Sequence, residues 1–147
     1  MFFRSLSSLD VILLKSRRST LTETSQFSMS ELRKVFETNV FSNSLLIREF
    51  LKIESTKAVI HITSDASVNN YEGWAFYGSS KAAMDYIMRT LGDEIPEVEF
   101  ISLDPGDMDT GMHREALPDA DTNDLQKPED AAAKLYERIL EAISNDQ

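Results

Sequence analysis

The chain contains no cysteine, and the first glycine in its 147 residues is Gly73. Without cysteine there is no disulfide framework and no thiolate metal site, which fits a reducing, cytoplasmic setting. Without an early glycine, the first 72 residues cannot form the glycine-rich strand-to-helix turn that lets backbone N–H groups approach a pyrophosphate. Positive charge is scarce. Fifteen Lys and Arg against 25 Asp and Glu give a formal charge of −10, which excludes nucleic acid as a partner because its phosphates would be repelled. The imbalance is uneven: Arg4, Lys15, Arg17 and Arg18 against Asp10 give residues 1–20 a local +3, so the remainder carries −13. Apolar runs are short too. None approaches the ~20 residues needed to cross a bilayer, so no membrane association is expected. The basic start also lacks the small-residue cleavage pattern and continuous apolar stretch of a targeting peptide. The two histidines, His61 and His113, are far apart without ligand-spaced partners, so no metal is expected. Asp119, Asp121, Asn123 and Asp130 mimic some positions of a calcium loop. Asp124, however, stands where a glycine is required, and Asp130 where a bidentate glutamate is usual, which leaves a solvated acidic loop.

What is present alternates between strand-like and helix-like patterns, which predicts an α/β layer fold around a parallel sheet. Residues 1–20 contain the apolar strand Leu9-Asp10-Val11-Ile12-Leu13-Leu14 and a loop. Ser28-Met29-Ser30-Glu31 reads as a capping box opening a helix over 28–54. Its stripe runs through Leu32, Val35, Phe36, Asn39, Val40, Asn43, Ile47, Phe50 and Leu51 at three- and four-residue steps. The run Ala58-Val59-Ile60-His61-Ile62-Thr63 predicts a buried strand over 57–64, and a second helix follows over 73–91. A strand over 98–103, a loop over 104–127 and a helix over 128–144 complete one domain without repeats or linkers. Proline and acids at Pro128-Glu129-Asp130 suit the start of that last helix.

Chemistry concentrates at Tyr77 and Lys81. Four residues apart on a helix, they share one face, and an ammonium near a phenol favours the phenolate. The pairing turns a weak acid into a general acid/base able to work nearer neutrality. By itself it equally describes a surface i,i+4 pair. Ser64, at the end of the strand over 57–64, reads alone as a turn residue, with Ser67 its neighbouring competitor. Asn39 on an apolar stripe needs a partner, or marks a kink. Pro105 and Gly106 end a strand and begin a turn, and Thr110 lies five residues after Pro105.

Taken together and in order, Asn39, Ser64, the Tyr77-x-x-x-Lys81 pair and the Pro105-Gly106-x-x-x-Thr110 loop resemble the second half of the short-chain dehydrogenase/reductase family. The resemblance extends from about residue 9 to about residue 142. It implies part of a Rossmann-like doubly wound parallel sheet, with strands equivalent to the family's fourth, fifth and sixth. It also implies hydride transfer between NAD or NADP and a small-molecule carbonyl or secondary alcohol. Tyr77 would be the general acid/base and Lys81 would lower its pKa and bind the nicotinamide ribose. Ser64 would polarise the substrate carbonyl, and the backbone of Asn39 would hold a water in a proton relay. Tyr77, Lys81, Pro105, Gly106 and Thr110 would face the cofactor.

The departures from the family are equally specific. The glycine-rich pyrophosphate turn is absent, and Leu14-Lys15-Ser16-Arg17 stands where Asn-Asn-Ala-Gly is usual. The expectation is a truncated enzyme, inactive alone unless another chain supplies the missing half. A different class of function is a non-catalytic interaction module or decayed remnant. In relatives the helices equivalent to 28–54 and 73–91 mediate association, which implies a homo-oligomer or pairing with a full-length relative.

Overall fold

The computed structural model describes residues 11–14, 27–119 and 121–144, with only the backbone of 11–14. Three parallel strands, β1 (Val11–Leu14), β2 (Ala58–Ile62) and β3 (Glu99–Leu103), form a sheet in the order β1-β2-β3. Val11 pairs with Ala58 and Ala58 with Glu99, and the register continues residue by residue to Ile62 opposite Leu103. β2 is central, and its Ala58-Val59-Ile60-His61 are all buried, as expected of a parallel strand covered on both faces. Apart from β1, residues 1–20, including Lys15, Ser16 and Arg17, lie outside the described residues.

Helices cover both faces. On one, Val59 packs with Val40, Ile47, Met84 and Met88 from the segments before and after β2. On the other, Ala58, Ile60 and Leu103 meet Leu135, Ile139 and Ile143 of α5 (Pro128–Ser144), whose limits are those the sequence predicts. Alternation along β2 thus sends odd positions to the helix that carries Tyr77 and even positions to α5.

The expected helix over 28–54 is three pieces. The capping box forms, with Glu31 N–H donating to Ser28 Oγ and the Glu31 carboxylate accepting from Ser28 N–H, and starts α1 (Met29–Phe36). A π-helical turn, Glu37–Phe41, then leads into α2 (Ser42–Phe50). Three successive polar side chains explain the widening. Ser42 Oγ donates to Thr38 O, Asn43 Nδ2 to Asn39 O and Ser44 Oγ to Val40 O, at 2.7, 2.9 and 2.8 Å. Carbonyls served by side chains four residues on compete with the regular ladder and bend it. The helix ends at Phe50 because Thr56 Oγ1 takes the Phe50 carbonyl at 2.9 Å.

Other limits shift for local reasons. Strand 57–64 shortens to β2 because Ser64 turns aside to cap a 3-10 turn, Asp65–Ser67. Helix 73–91 becomes α3 (Ala75–Glu94): Gly73, at φ 76°, belongs to the preceding turn, and the helix runs on through Gly92. The loop over 104–127 contains a short helix, α4 (Gly111–Ala116), N-capped by Thr110.

Candidate functional site

The carboxyl ends of β2 and β3 and the first turns of α3 converge on a cavity of about 270 Å³. Six of the seven predicted residues line it: Ser64, Tyr77, Lys81, Pro105, Gly106 and Thr110. Parallel strands place such a crevice at their carboxyl ends, where consecutive chain reversals splay apart.

Ser64 leaves β2 with extended dihedrals. Its Oγ accepts from Ala66 N–H and donates to Asp65 Oδ1, both at 3.3 Å, so the hydroxyl is held at the cavity wall. α3 reaches this wall through Gly78. A Cβ there would lie 2.5 Å from the Ala66 carbonyl oxygen, so only glycine allows the helix to pass so close. That approach carries Tyr77, one residue before, to the rim of the cavity that Ser64 also lines. Tyr77 is 8% exposed, and Trp74 meets its ring edge-on at 6.0 Å and 86°.

Lys81 is 2% exposed. Its ammonium donates to Ile62 O at 2.5 Å and lies 5.7 Å from the centre of the Tyr77 ring. Burial lowers its pKa to about 8 against the opposing pull of Asp85 and Asp104. The surrounding wall is acidic: Asp65, Asp104 and Asp107 all line the cavity. Asp65 is held below the usual carboxylate range, chiefly by the hydrogen bond it accepts from the Tyr71 hydroxyl.

Asn39 is not on the cavity wall. It is fully buried behind α3, where Nδ2 donates to Ser80 Oγ at 3.0 Å and Ser80 Oγ donates to Tyr77 O at 2.7 Å. The π-helical turn presents Asn39 to α3, and the Asn39–Ser80 link braces the turn of helix that bears Tyr77. The Asn39 carbonyl, expected to hold a water, accepts the Asn43 amide.

Three contributors escape a reading of the sequence. Gln126 closes the loop over 104–127: its Nε2 donates to Pro105 O at 2.5 Å, its backbone carbonyl accepts Asp109 N–H at 2.9 Å, and its Oε1 accepts from Lys134 at 3.1 Å. Ser80 links partners far apart in sequence, and Asn43, although its place on the apolar stripe is visible, gives no sign of the carbonyl it serves, because a generic polar residue carries no spacing signal. The Gln126 contact sits against Gly106, whose φ of 74° makes the turn. Thr110 serves α4, its side chain accepting His113 N–H at 3.2 Å. Among the described residues no cluster of three His, Cys, Asp or Glu could hold a metal ion.

Comparison with known proteins finds that the short chain dehydrogenase family profile matches residues 3–121. The benzil reductase ((S)-benzoin forming) of Bacillus subtilis (strain 168) is 40% identical over 93 residues, 58% of this chain and 38% of that protein. A benzil reductase of Saccharomyces cerevisiae is 26% identical over 135 residues, 88% of this chain and 49% of its own length. A crystal structure of a short chain dehydrogenase from Escherichia coli CFT073, complexed with NADPH, superposes with a TM-score of 0.78 at 23% identity. It covers 86% of this chain and 55% of that one. The chain spans about half the length, or less, of these curated relatives.

Proposed function

The chain belongs to the short-chain dehydrogenase/reductase family, and we propose that it carries the proton-transfer and nicotinamide-facing part of an NAD(P)-dependent oxidoreductase. The single observation that carries this is the convergence of Ser64, Tyr77 and Lys81 with Pro105, Gly106 and Thr110 on one cavity. The strands are then equivalents of the family's fourth, fifth and sixth.

The residues present fit one end of the cofactor. The wall offers a buried ammonium for ribose hydroxyls, and its carboxylates suit a cationic nicotinamide ring while repelling phosphate. For the diphosphate end the sequence offers no glycine-rich turn, since its first glycine is Gly73. A bound nicotinamide supplies or accepts the hydride.

In carbonyl reduction the Tyr77 hydroxyl gives its proton to the substrate oxygen, and in alcohol oxidation the phenolate removes it. Lys81 stabilises that phenolate by charge and holds the ribose. Ser64 Oγ turns its one proton from Asp65 Oδ1 to the same substrate oxygen, supporting its developing charge. Pro105 and Gly106 form the wall against the nicotinamide, and Thr110 fixes the loop by capping α4. Asn39 supports the Tyr77–Lys81 turn from behind. The relatives suggest an aryl ketone or diketone as substrate, with benzil the first to test.

The test is a chimera in which the amino-terminal part of the Bacillus subtilis benzil reductase, with its glycine-rich turn, precedes this chain. We expect NADPH-dependent reduction of benzil that Tyr77→Phe abolishes with cofactor affinity nearly unchanged. Lys81→Ala should damage both, and Ser64→Ala should lower kcat by roughly 10²–10³. Near-normal activity of Tyr77→Phe in a chimera that binds cofactor would reduce the pair to a structural contact.

A second reading is a non-catalytic module that pairs with itself or a full-length relative through α2 and α3. Phe41, Leu45 and Leu46, on and just before α2, and Tyr86 on α3 are 46–65% exposed, which favours it. Sedimentation of the 147-residue chain alone and with such a relative distinguishes the two: a monomer that ignores the relative excludes pairing.

A further inference from the structure

On the side of Lys81 away from the cavity, β2, β3 and α3 enclose polar groups that the roles above leave unused. His61, on β2, is fully buried and points, like Val59, to the α3 side of the sheet. Asp85 follows Lys81 by one helical turn, as Lys81 follows Tyr77. Asp85 Oδ2 accepts from Thr63 Oγ1 at 2.7 Å, and Oδ1 lies 3.8 Å from His61 Nε2. Ser102 is the register partner of His61 on β3. Both ring nitrogens of His61, Asp85 Oδ1 and Ser102 Oγ are buried without a hydrogen-bond partner. Four such atoms in one place are costly for the fold, and a merely structural contact between α3 and β2 would be better served by apolar side chains.

We propose that Asp85, steadied by Thr63, is the positioning residue whose buried charge, one helical turn from Lys81, keeps the Lys81 side chain charged. The inference rests on the role given to Lys81 above. An ammonium removed from water as completely as this one tends to shed its proton. The charged and titratable groups around it are Tyr77 and Asp85 from α3, His61 from β2 and Asp104 from the loop after β3. Asp65 and Asp107 lie further round the cavity wall.

Asp104 is exposed, so water screens its charge, whereas the Asp85 side chain is only 13% exposed. His61 is neutral at ordinary pH, because burial and the Lys81 charge both oppose its protonation. The neutral imidazole stands 3.8 Å from Asp85 Oδ1, beyond hydrogen-bond reach, and adds no charge that would compete with Lys81 for the carboxylate. Thr63 holds the carboxylate by its Oδ2 edge. The line His61–Asp85–Lys81–Tyr77 then runs from the sheet interior to the cavity.

Lysine labelled with ¹³C at Cε reports the charge of Lys81 directly by NMR titration, with Lys81→Arg identifying the signal. This needs neither cofactor nor turnover, so it stands apart from the test of the proposed function. Asp85→Asn keeps an acceptor for Thr63 and removes only the charge. It should lower the midpoint of Lys81 ionisation by about one pH unit or more. Asp104→Asn should move it less, and Asp85→Glu should restore most of the loss. Thr63→Val, which leaves the charge but frees the carboxylate, should lower the midpoint by a smaller amount, and it reads the same contact if Asp85→Asn does not fold. In the cofactor-binding chimera, the alkaline limb of carbonyl reduction should move down with the Lys81 midpoint. An unchanged Lys81 midpoint in a folded Asp85→Asn, or in Thr63→Val where Asp85→Asn does not fold, overturns the proposal. So does a larger effect from Asp104→Asn.

Discussion

At the scale of single residues, the site depends on an atom that is missing. Gly78 has no Cβ, and that lets α3 cross the 3-10 turn after β2 closely enough to bring Tyr77 to the cavity that Ser64 also lines. Gly78→Ala would set a methyl carbon 2.5 Å from a backbone oxygen, and neither helix nor turn can yield as a flexible side chain would. We expect a loss of about 1–3 kcal/mol in stability, read from denaturant unfolding, typical of an overpacked site. A folded Gly78→Ala protein should also show Tyr77 displaced from the cavity rim, with turnover in the chimera reduced beyond the stability effect. Unchanged unfolding would mean that the close approach is not maintained in solution. The Tyr77–Lys81 spacing was legible in the sequence because a helix imposes it. The glycine between them was equally visible, but nothing in a linear pattern says which backbone it must pass.

At the scale of elements, local signals predicted existence and type better than extent. The capping box at Ser28 and the proline-acid start at Pro128 placed two helix beginnings correctly, since both are satisfied within a few residues. Helix interruption at Glu37–Phe41 was not legible as such. Ser42, Asn43 and Ser44 bond backward to carbonyls only once a helix exists, and the same residues would suit a turn. The short helix α4 was missed because six residues carry too little periodicity, although Thr110 is an ordinary N-cap signal. How the loop over 104–127 closes was not readable either, because it rests on Gln126 reaching back 21 residues to Pro105. Gln126→Ala should therefore loosen that loop without unfolding the sheet. Hydrogen exchange would show it as faster exchange at Asp109 and across α4, with β2 and β3 unaffected. Equal protection in both proteins would assign loop closure to Thr110 alone. Thr110→Ala itself should cost about 1 kcal/mol, the usual worth of an N-cap.

At the scale of the whole molecule, the buried polar groups under α3 couple the fold to pH. Burial, and secondarily the charge of Lys81, lowers the pKa of His61 to about 4 in the folded protein, against an ordinary value of 6.5. Between those values the unfolded chain takes up a proton that the folded protein refuses. Stability must therefore fall as pH drops from about 6.5 toward 4, and the effect vanishes above 6.5, where His61 is neutral in both states. At about 1.4 kcal/mol per pH unit, the loss is on the order of 3 kcal/mol, a large share of what a domain this size possesses. Lys81 has the same sign in another window: its pKa of about 8, against an ordinary 10.5, makes stability rise as pH is raised from about 8 toward 10.5. The carboxylates held low by hydrogen bonds, Glu31, Glu49 and Asp65, begin to lose their favourable contacts as pH falls through their ordinary values of 4.5 and 3.8, so they overlap only the acid end of the His61 window and act alike in parent and variant. His61→Asn, which fills similar space and cannot titrate, separates these contributions. Denaturant unfolding at pH 7 and at pH 4.5 should show the parent protein losing most of that stability between the two, and the variant losing much less. If the two proteins lost stability in parallel, His61 would be exchanging protons as readily as an exposed histidine, and the closed cluster beneath Lys81 would have to be open to water.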